Sequence, residues 1–153
     1  MKRLISLVFA GLIASTAIAQ GADTPMEDPL FLPADMADLS AFQWKKRPVL
    51  VFANSENDPA YVAQMEYLRD REEELRLRDV IVLTDTDPAA RSALRLRMRP
   101  RGFMLVLVDK EGQIELRKPF PWDVREITRS IDKMPLRQRE IRERKANDRA
   151  LSE

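Results

Sequence analysis

Three short runs, each with an unbroken apolar centre, constrain this chain more than anything else in it. They are Pro48 to Ala53 (PVLVFA), Asp79 to Thr84 (DVIVLT) and Phe103 to Val108 (FMLVLV). Each is too short for a helix, rich in β-branched residues and without polar alternation, the pattern of a strand covered on both faces. Between them the chain carries helix signals. Asp58-Pro59 supplies an N-cap and a favoured first helical residue, after which Tyr61, Met65, Leu68 and Leu75 mark one face of a predicted helix running to about Arg76. Glu72/Arg76 and Glu74/Arg78 add acid-before-base pairs at i,i+4. Asp87-Pro88 repeats the cap signal and opens a shorter helix through Leu96, closed by Arg99-Pro100-Arg101-Gly102.

After the third run, Asp109-Lys110-Glu111-Gly112 reads as a turn into a fourth strand, Gln113 to Lys118, paired as a hairpin. A helix from Trp122 or Asp123 to Lys133 carries Val124, Ile127 and Ile131 on one face, and Pro135 interrupts it. The order β-α-β-α-β-β-α predicts an α/β fold with a central mixed sheet: a crossover joins parallel strands and a hairpin completes the sheet, the thioredoxin-like layout. The tail from residue 138 to 153 is charged, with sparse apolar residues, and reads as a projecting helix.

The 153 residues contain no cysteine and no histidine. Thiol redox and thiol peroxidase chemistry, Cys or His nucleophile–base pairs and Cys/His zinc sites are thereby excluded for this chain acting alone. No cofactor is expected. Asp85-x-Asp87 offers two carboxylates to a divalent cation, too few for Mg²⁺ or Ca²⁺, and capping explains Asp87, so no metal is expected either.

The N-terminus reads as an export signal. Met1-Lys2-Arg3 is followed by 16 uncharged residues, Leu4 to Ala19, ending in Ala17-Ile18-Ala19, a small-x-small cleavage pattern. Cleavage before Gln20 would deliver a periplasmic or secreted protein that meets the membrane only through its signal peptide. The competing reading is an uncleaved anchor, for which 16 residues fall short of the ~20 that span a bilayer. Without residues 1–19 the chain has 24 bases and 25 acids. Residues 20–44 hold five of those acids and no base, so an acidic extended leader (20–43) with one short turn precedes a mildly basic domain (44–137).

The order of Trp44, Gln64, Arg78-Asp79-Val80, Gly102-Phe103, Lys110, Gly112, Ile131-Asp132, Met134-Pro135 and Arg137 resembles the P-DUDES family, the thioredoxin-like domain of unknown function 4174. The resemblance covers Trp44 to Arg137 and implies a secreted, thioredoxin-like domain, without implying an established activity. In the thioredoxin register Asn57-Asp58-Pro59-Ala60 falls where redox-active members carry Cys-x-Pro-Cys, and Phe103 falls where a cis-proline normally faces the thiols.

Without thiols, the free N–H groups at that helix start remain an anion-site candidate, with Asn57 and Asp58 there and Arg97, Arg99 and Arg101 in the loop expected beside it. The bland alternative is that Asp58 fills its own cap and the arginines are solvated. Gln64 reads as a helix residue near the domain's edge. The basic stretches around residues 91–101 and 133–149 lack aromatic platforms and are interleaved with acids, so nucleic acid is not the expected partner; a protein or an anionic ligand is. A non-catalytic binding or interaction module is preferred. The alternatives are a thiol-independent enzyme using carboxylates or arginines, and a degenerate partner of thiol oxidoreductases.

Overall fold

The computed structural model describes residues 29–152; the signal segment and the first part of the acidic leader lie outside them. Five strands form one sheet: β1 (Phe31–Pro33), β2 (Arg47–Phe52), β3 (Val80–Asp85), β4 (Met104–Val108) and β5 (Ile114–Lys118). Their spatial order is β1-β3-β2-β4-β5. β1, β3 and β2 run parallel, with Val49 beside Val82, and β4 and β5 are antiparallel, with Val49 beside Leu107. The expected mixed thioredoxin-like sheet is present.

Strand alternation divides the apolar runs between two cores. On one face Val49, Val51, Val80, Val82, Leu105 and Leu107 meet Met65 and Leu68 of α2 (Pro59–Arg69), Leu75 of α3 (Glu72–Arg76) and Ile127 and Ile131 of α5 (Val124–Asp132). On the other, Leu50, Phe52, Ile81, Leu83, Val106 and Val108 meet Leu39 of α1 (Leu39–Phe42) and Leu94 and Met98 of α4 (Ala93–Met98). Helices cover both faces, which is why the three runs show no polar alternation.

Local chemistry sets most boundaries. Asp58 and Asp123 accept from the backbone N–H groups of Ala60 and Arg125, starting α2 and α5. The helix expected to reach Arg76 breaks instead at Asp70-Arg71, where Arg71 leaves the helical region, and α3 restarts on three glutamates that favour a helix N-terminus. Asp87-Pro88 opens only a 3₁₀ turn; Ser92 then caps α4, displacing that helix toward Met98. Pro135, expected as an interruption, occupies the first turn of α6 (Pro135–Leu151).

Two further expectations are corrected. Part of the leader is structural: Phe31–Pro33 adds the edge strand β1, and Leu30 is buried in the core. Gln64 is not peripheral. Its side chain is fully buried, accepts from the Trp122 N–H (2.7 Å) and donates to the Trp122 carbonyl (3.0 Å), clamping the segment between β5 and α5. Both cores are close-packed around side chains with no solvent exposure, so Leu68→Ala and Leu83→Ala should each lower the unfolding free energy by about 2–5 kcal/mol, read from urea denaturation.

Candidate functional site

The two ends of the sheet are built differently. At the carboxyl ends of β2 and β3, where the thioredoxin register places thiols, the surface is filled by the chain's own groups. The Asp58 carboxylate accepts from Ala60 N–H at 2.8 Å, and Asn57 is exposed, its N–H donating to Ser55 Oγ. Behind them Arg95 is buried: its Nη2 donates to Asp85 Oδ1 (2.7 Å) and to the Ala53 carbonyl (2.7 Å), its Nε donates to Asp85 Oδ1 (3.0 Å), and its guanidinium lies over the Phe52 ring. Burial pulls the Asp85 carboxyl upward, but Arg95 and the Ser92 hydroxyl outweigh it and hold it below the usual range.

The cleft beside this end is walled by Asp35, Glu56, Asp85 and Asp87 and by no cation. Nor do the three loop arginines gather there. Arg97 lies in a hollow with Asp38 and Glu111, while Arg99 and Arg101 line another with Arg117 and Lys118 at the β4–β5 edge. Asp87 caps the turn that follows it, and among the described residues no three Asp or Glu side chains are placed to hold a metal ion.

The opposite end centres on Arg47, whose side chain is 1% exposed. Its Nη2 donates to Glu140 Oε1 at 3.0 Å and its Nη1 to the Arg78 carbonyl at 2.9 Å. Lys110 Nζ bridges the same Glu140 oxygen (2.8 Å) and Asp79 Oδ2 (2.7 Å). Arg137 reaches Glu140 Oε2 at 3.2 Å and Asp132 Oδ1 at 3.5 Å, and Arg78 grips Asp132 through two bonds of 3.0 and 2.7 Å. Four cations thus alternate with three carboxylates, joining β2, the α3–β3 junction, the β4–β5 turn, α5 and α6. Burial raises the Glu140 carboxyl, but the hydrogen bonds and charges of Lys110 and Arg47 prevail and bring it to about 2.

Above this network lies a cavity of about 400 Å³. Arg47 and Lys110 form part of its wall, Met134, Pro135 and Leu136 a second part, and Asp109, Glu111 and Glu115 a third, with Trp44 and Arg139 also lining it. Three features mark it out. The buried Arg47 Nε–H has no hydrogen-bond partner. Trp44 is 62% exposed yet held at φ 65°, a left-handed conformation unfavourable for a bulky residue, by its N–H donating to the Lys110 carbonyl at 2.6 Å. The exposed Glu115 carboxyl is raised from its ordinary value by partial desolvation and by the charges of Asp109 and Glu111.

Sequence reasoning placed no candidate here. Arg78 reads as a helix residue paired with Glu74, Asp79 as the head of a strand, Lys110 as a turn residue and Pro135 as a helix interruption; Trp44, Met134 and Arg137 stand out through the resemblance, and Arg47 and Glu140 not at all. The linear signal was a charged residue opening an otherwise apolar strand.

A five-stranded mixed sheet of this order, with a helix following β2 and a terminal hairpin and helix, defines a thioredoxin-like α/β domain. Among solved structures the chain is similar to thioredoxin peroxidase I of Plasmodium yoelii (18% identity, TM-score 0.52, covering 63% of this chain and 76% of that one). It is also similar to the reduced 2-Cys peroxiredoxin of Plasmodium vivax (17% identity, TM-score 0.52, covering 63% and 81%). At these identities the likeness is one of fold. No curated protein matches the chain. Residues 38–140 match the family described as Domain of unknown function (DUF4174), and the chain belongs to that family.

Two outcomes follow from the charged end. Glu140→Gln leaves Arg47 buried without its nearest carboxylate, so it should destabilise the domain by about 3 kcal/mol. A depressed folded-state pKa also means that the unfolded chain takes up the proton first. The Glu140 contribution is therefore complete above about 4.5, its ordinary value, and falls away toward about 2; urea titrations across that window should show the wild type losing this increment and Glu140→Gln lacking it. Trp44→Gly should keep or raise stability, by about 1 kcal/mol, because glycine accepts the left-handed conformation without strain. A loss above 2 kcal/mol on that substitution would make Trp44 a packing residue instead.

Proposed function

We propose that this chain is an exported, non-catalytic binding module of the thioredoxin-like fold and that the cavity beside Trp44 is its ligand site. The observation that carries the reading is the cavity itself. It is of small-molecule size, and it joins an exposed indole on a strained backbone to a buried guanidinium with an unpartnered N–H, two features that folding stability alone does not favour. Binding rather than catalysis fits the opposite end, where cysteine is absent and Asp58 and Asp85 are engaged by local donors. The charges at the cavity floor are likewise engaged with one another, as in a rigid wall rather than a set of groups poised for proton transfer.

Export rests on the sequence of residues 1–19, with its basic start, apolar run and Ala17-Ile18-Ala19 end. The resemblance to the P-DUDES family, which implies a secreted setting, is in keeping with it. Mass spectrometry of the protein recovered from the periplasm or medium should find Gln20, free or cyclised, at the N-terminus; an intact Met1 there would refute cleavage.

The binding reading is tested by a thermal-shift screen of small polar compounds on the wild type and on Trp44→Gly. A ligand present at a hundredfold its Kd adds about 2.7 kcal/mol, which for a domain of this size raises Tm by roughly 8 °C. The wild type should show such a compound and Trp44→Gly should not respond to it. A screen in which nothing acts, or in which every response survives Trp44→Gly, would remove the cavity as a site.

A further inference from the structure

Resting on the reading of the Trp44 cavity as the binding site, we infer that its ligand is a small organic cation, an amine or guanidinium, bearing a carbonyl or carboxylate acceptor a few bonds away. A basic amino acid, free or within a peptide, has this chemistry.

The charge balance of the wall carries the cationic half. Arg47 and Lys110 are ion-paired with Glu140 and Asp79, which stand outside the lining, so the network of four cations and three carboxylates contributes one positive charge beneath the cavity. The lining charges left are Asp109, Glu111 and Glu115 against Arg139, an excess of two negative charges. Asp109, Glu111 and Glu115 line the one cavity, where the charges of the first two oppose that of Glu115, and no salt bridge among the described residues involves any of them. A ligand cation entering the cavity relieves that repulsion. The exposed indole of Trp44 in the same wall supplies the aromatic face that holds such a cation once it is partly desolvated.

The acceptor half rests on an independent observation. Arg47 has no exposed surface, lines the cavity, and keeps one Nε–H without a partner while its other nitrogens are bound to Glu140 and the Arg78 carbonyl. An acceptor brought against this wall would meet the donor once the side chains covering it shift, and a buried donor so met is favoured. A simple anion is disfavoured by the carboxylates and a simple cation leaves the donor unmet, so one molecule carrying both groups fits best. Met134, Pro135 and Leu136 offer apolar surface to the methylene chain between them.

The test uses the full mature chain and four probes, L-arginine, agmatine, the tripeptide Gly-Arg-Gly and acetate, followed by calorimetry and tryptophan fluorescence. L-arginine or the tripeptide should bind saturably, and whichever binds more tightly identifies a free or a peptide-borne ligand. Agmatine, with the same guanidinium and no acceptor, should bind at least fivefold more weakly than the better of those two, and acetate should not bind. The double variant Glu111→Gln/Glu115→Gln should weaken binding about tenfold or more, and Trp44→Gly about fivefold or more. Cation binding that survives both variants would place the ligand elsewhere and overturn the inference. If none of the cations binds, yet a neutral or anionic compound stabilises the wild type and not Trp44→Gly, the ligand class is wrong while the cavity stands as a site. If no compound of any charge depends on Trp44, both fall together.

Discussion

The structure depends at one end on the placement of a single buried cation. Arg47 opens the central strand β2, in the middle of a sheet whose neighbouring positions are Val, Leu and Ile, and a guanidinium with no access to water must be matched by the protein. Its partners come from distant parts of the sequence: the Arg78 carbonyl where α3 ends, and Glu140 one turn into α6. Lys110 and Arg137 share that glutamate, and Arg137 and Arg78 share Asp132. One charge thus obliges the hairpin turn, the α5–α6 junction and the α3–β3 corner to close on each other. The family match ends at residue 140, the last carboxylate of this network, while α6 continues as an exposed charged helix beyond it.

The same constraint explains why the two ends of the sheet have different characters. In open α/β sheets ligands usually bind beyond the carboxyl ends of the strands. Here Arg95 occupies that position, bonded to the last residue of β3 and to the carbonyl just after β2, so the strand ends are sealed by a buried ion pair and an aromatic contact. At the amino end of β2 the ion network is larger but incomplete, because the Arg47 Nε–H is left over and the hairpin carboxylates stand apart from the cations below them. A closed, fully satisfied polar cluster rigidifies; this one keeps an unmet donor, beside three hairpin carboxylates that stand outside its ion pairs, the Asp109 carboxylate accepting from the Gln113 N–H. The likeness to the Plasmodium peroxiredoxins is one of fold, and fold alone does not place a site.

How much of this was legible in the sequence follows from which interactions are local. The apolar runs at 48–53, 79–84 and 103–108 became β2, β3 and β4 because continuous apolar residues between turn signals have few other uses, and Asp58 and Asp123 cap the helices they precede. β1 escaped because its three residues, Phe31, Leu32 and Pro33, in an acidic setting, carry no periodic signal; Val82 of β3 supplies its register. The break at Arg71 escaped because the surrounding glutamates and arginines favour a helix throughout. Arg95, Arg47 and Gln64 read as ordinary charged or polar residues, and only contacts 42, 93 and 58 residues away make them interior ones. The site is of that second kind, since periodicity reports which face of an element is buried and is silent on which charges meet at its end.

Trp44 draws the two kinds of information together. It follows the short helix α1 at the position where a chain usually places glycine to turn out of a helix, and its conformation is the one glycine adopts without cost. Its N–H is bound to the carbonyl of Lys110, the residue whose ammonium joins Asp79 to Glu140. The indole is therefore fixed at the rim by the same hairpin residue that closes the buried network, and the strain at Trp44 is held in place by interactions that do not involve its ring. A side chain positioned in this way, outward and against local preference, contributes little to the core it rests on, which is the physical reason for including it in the proposed binding site.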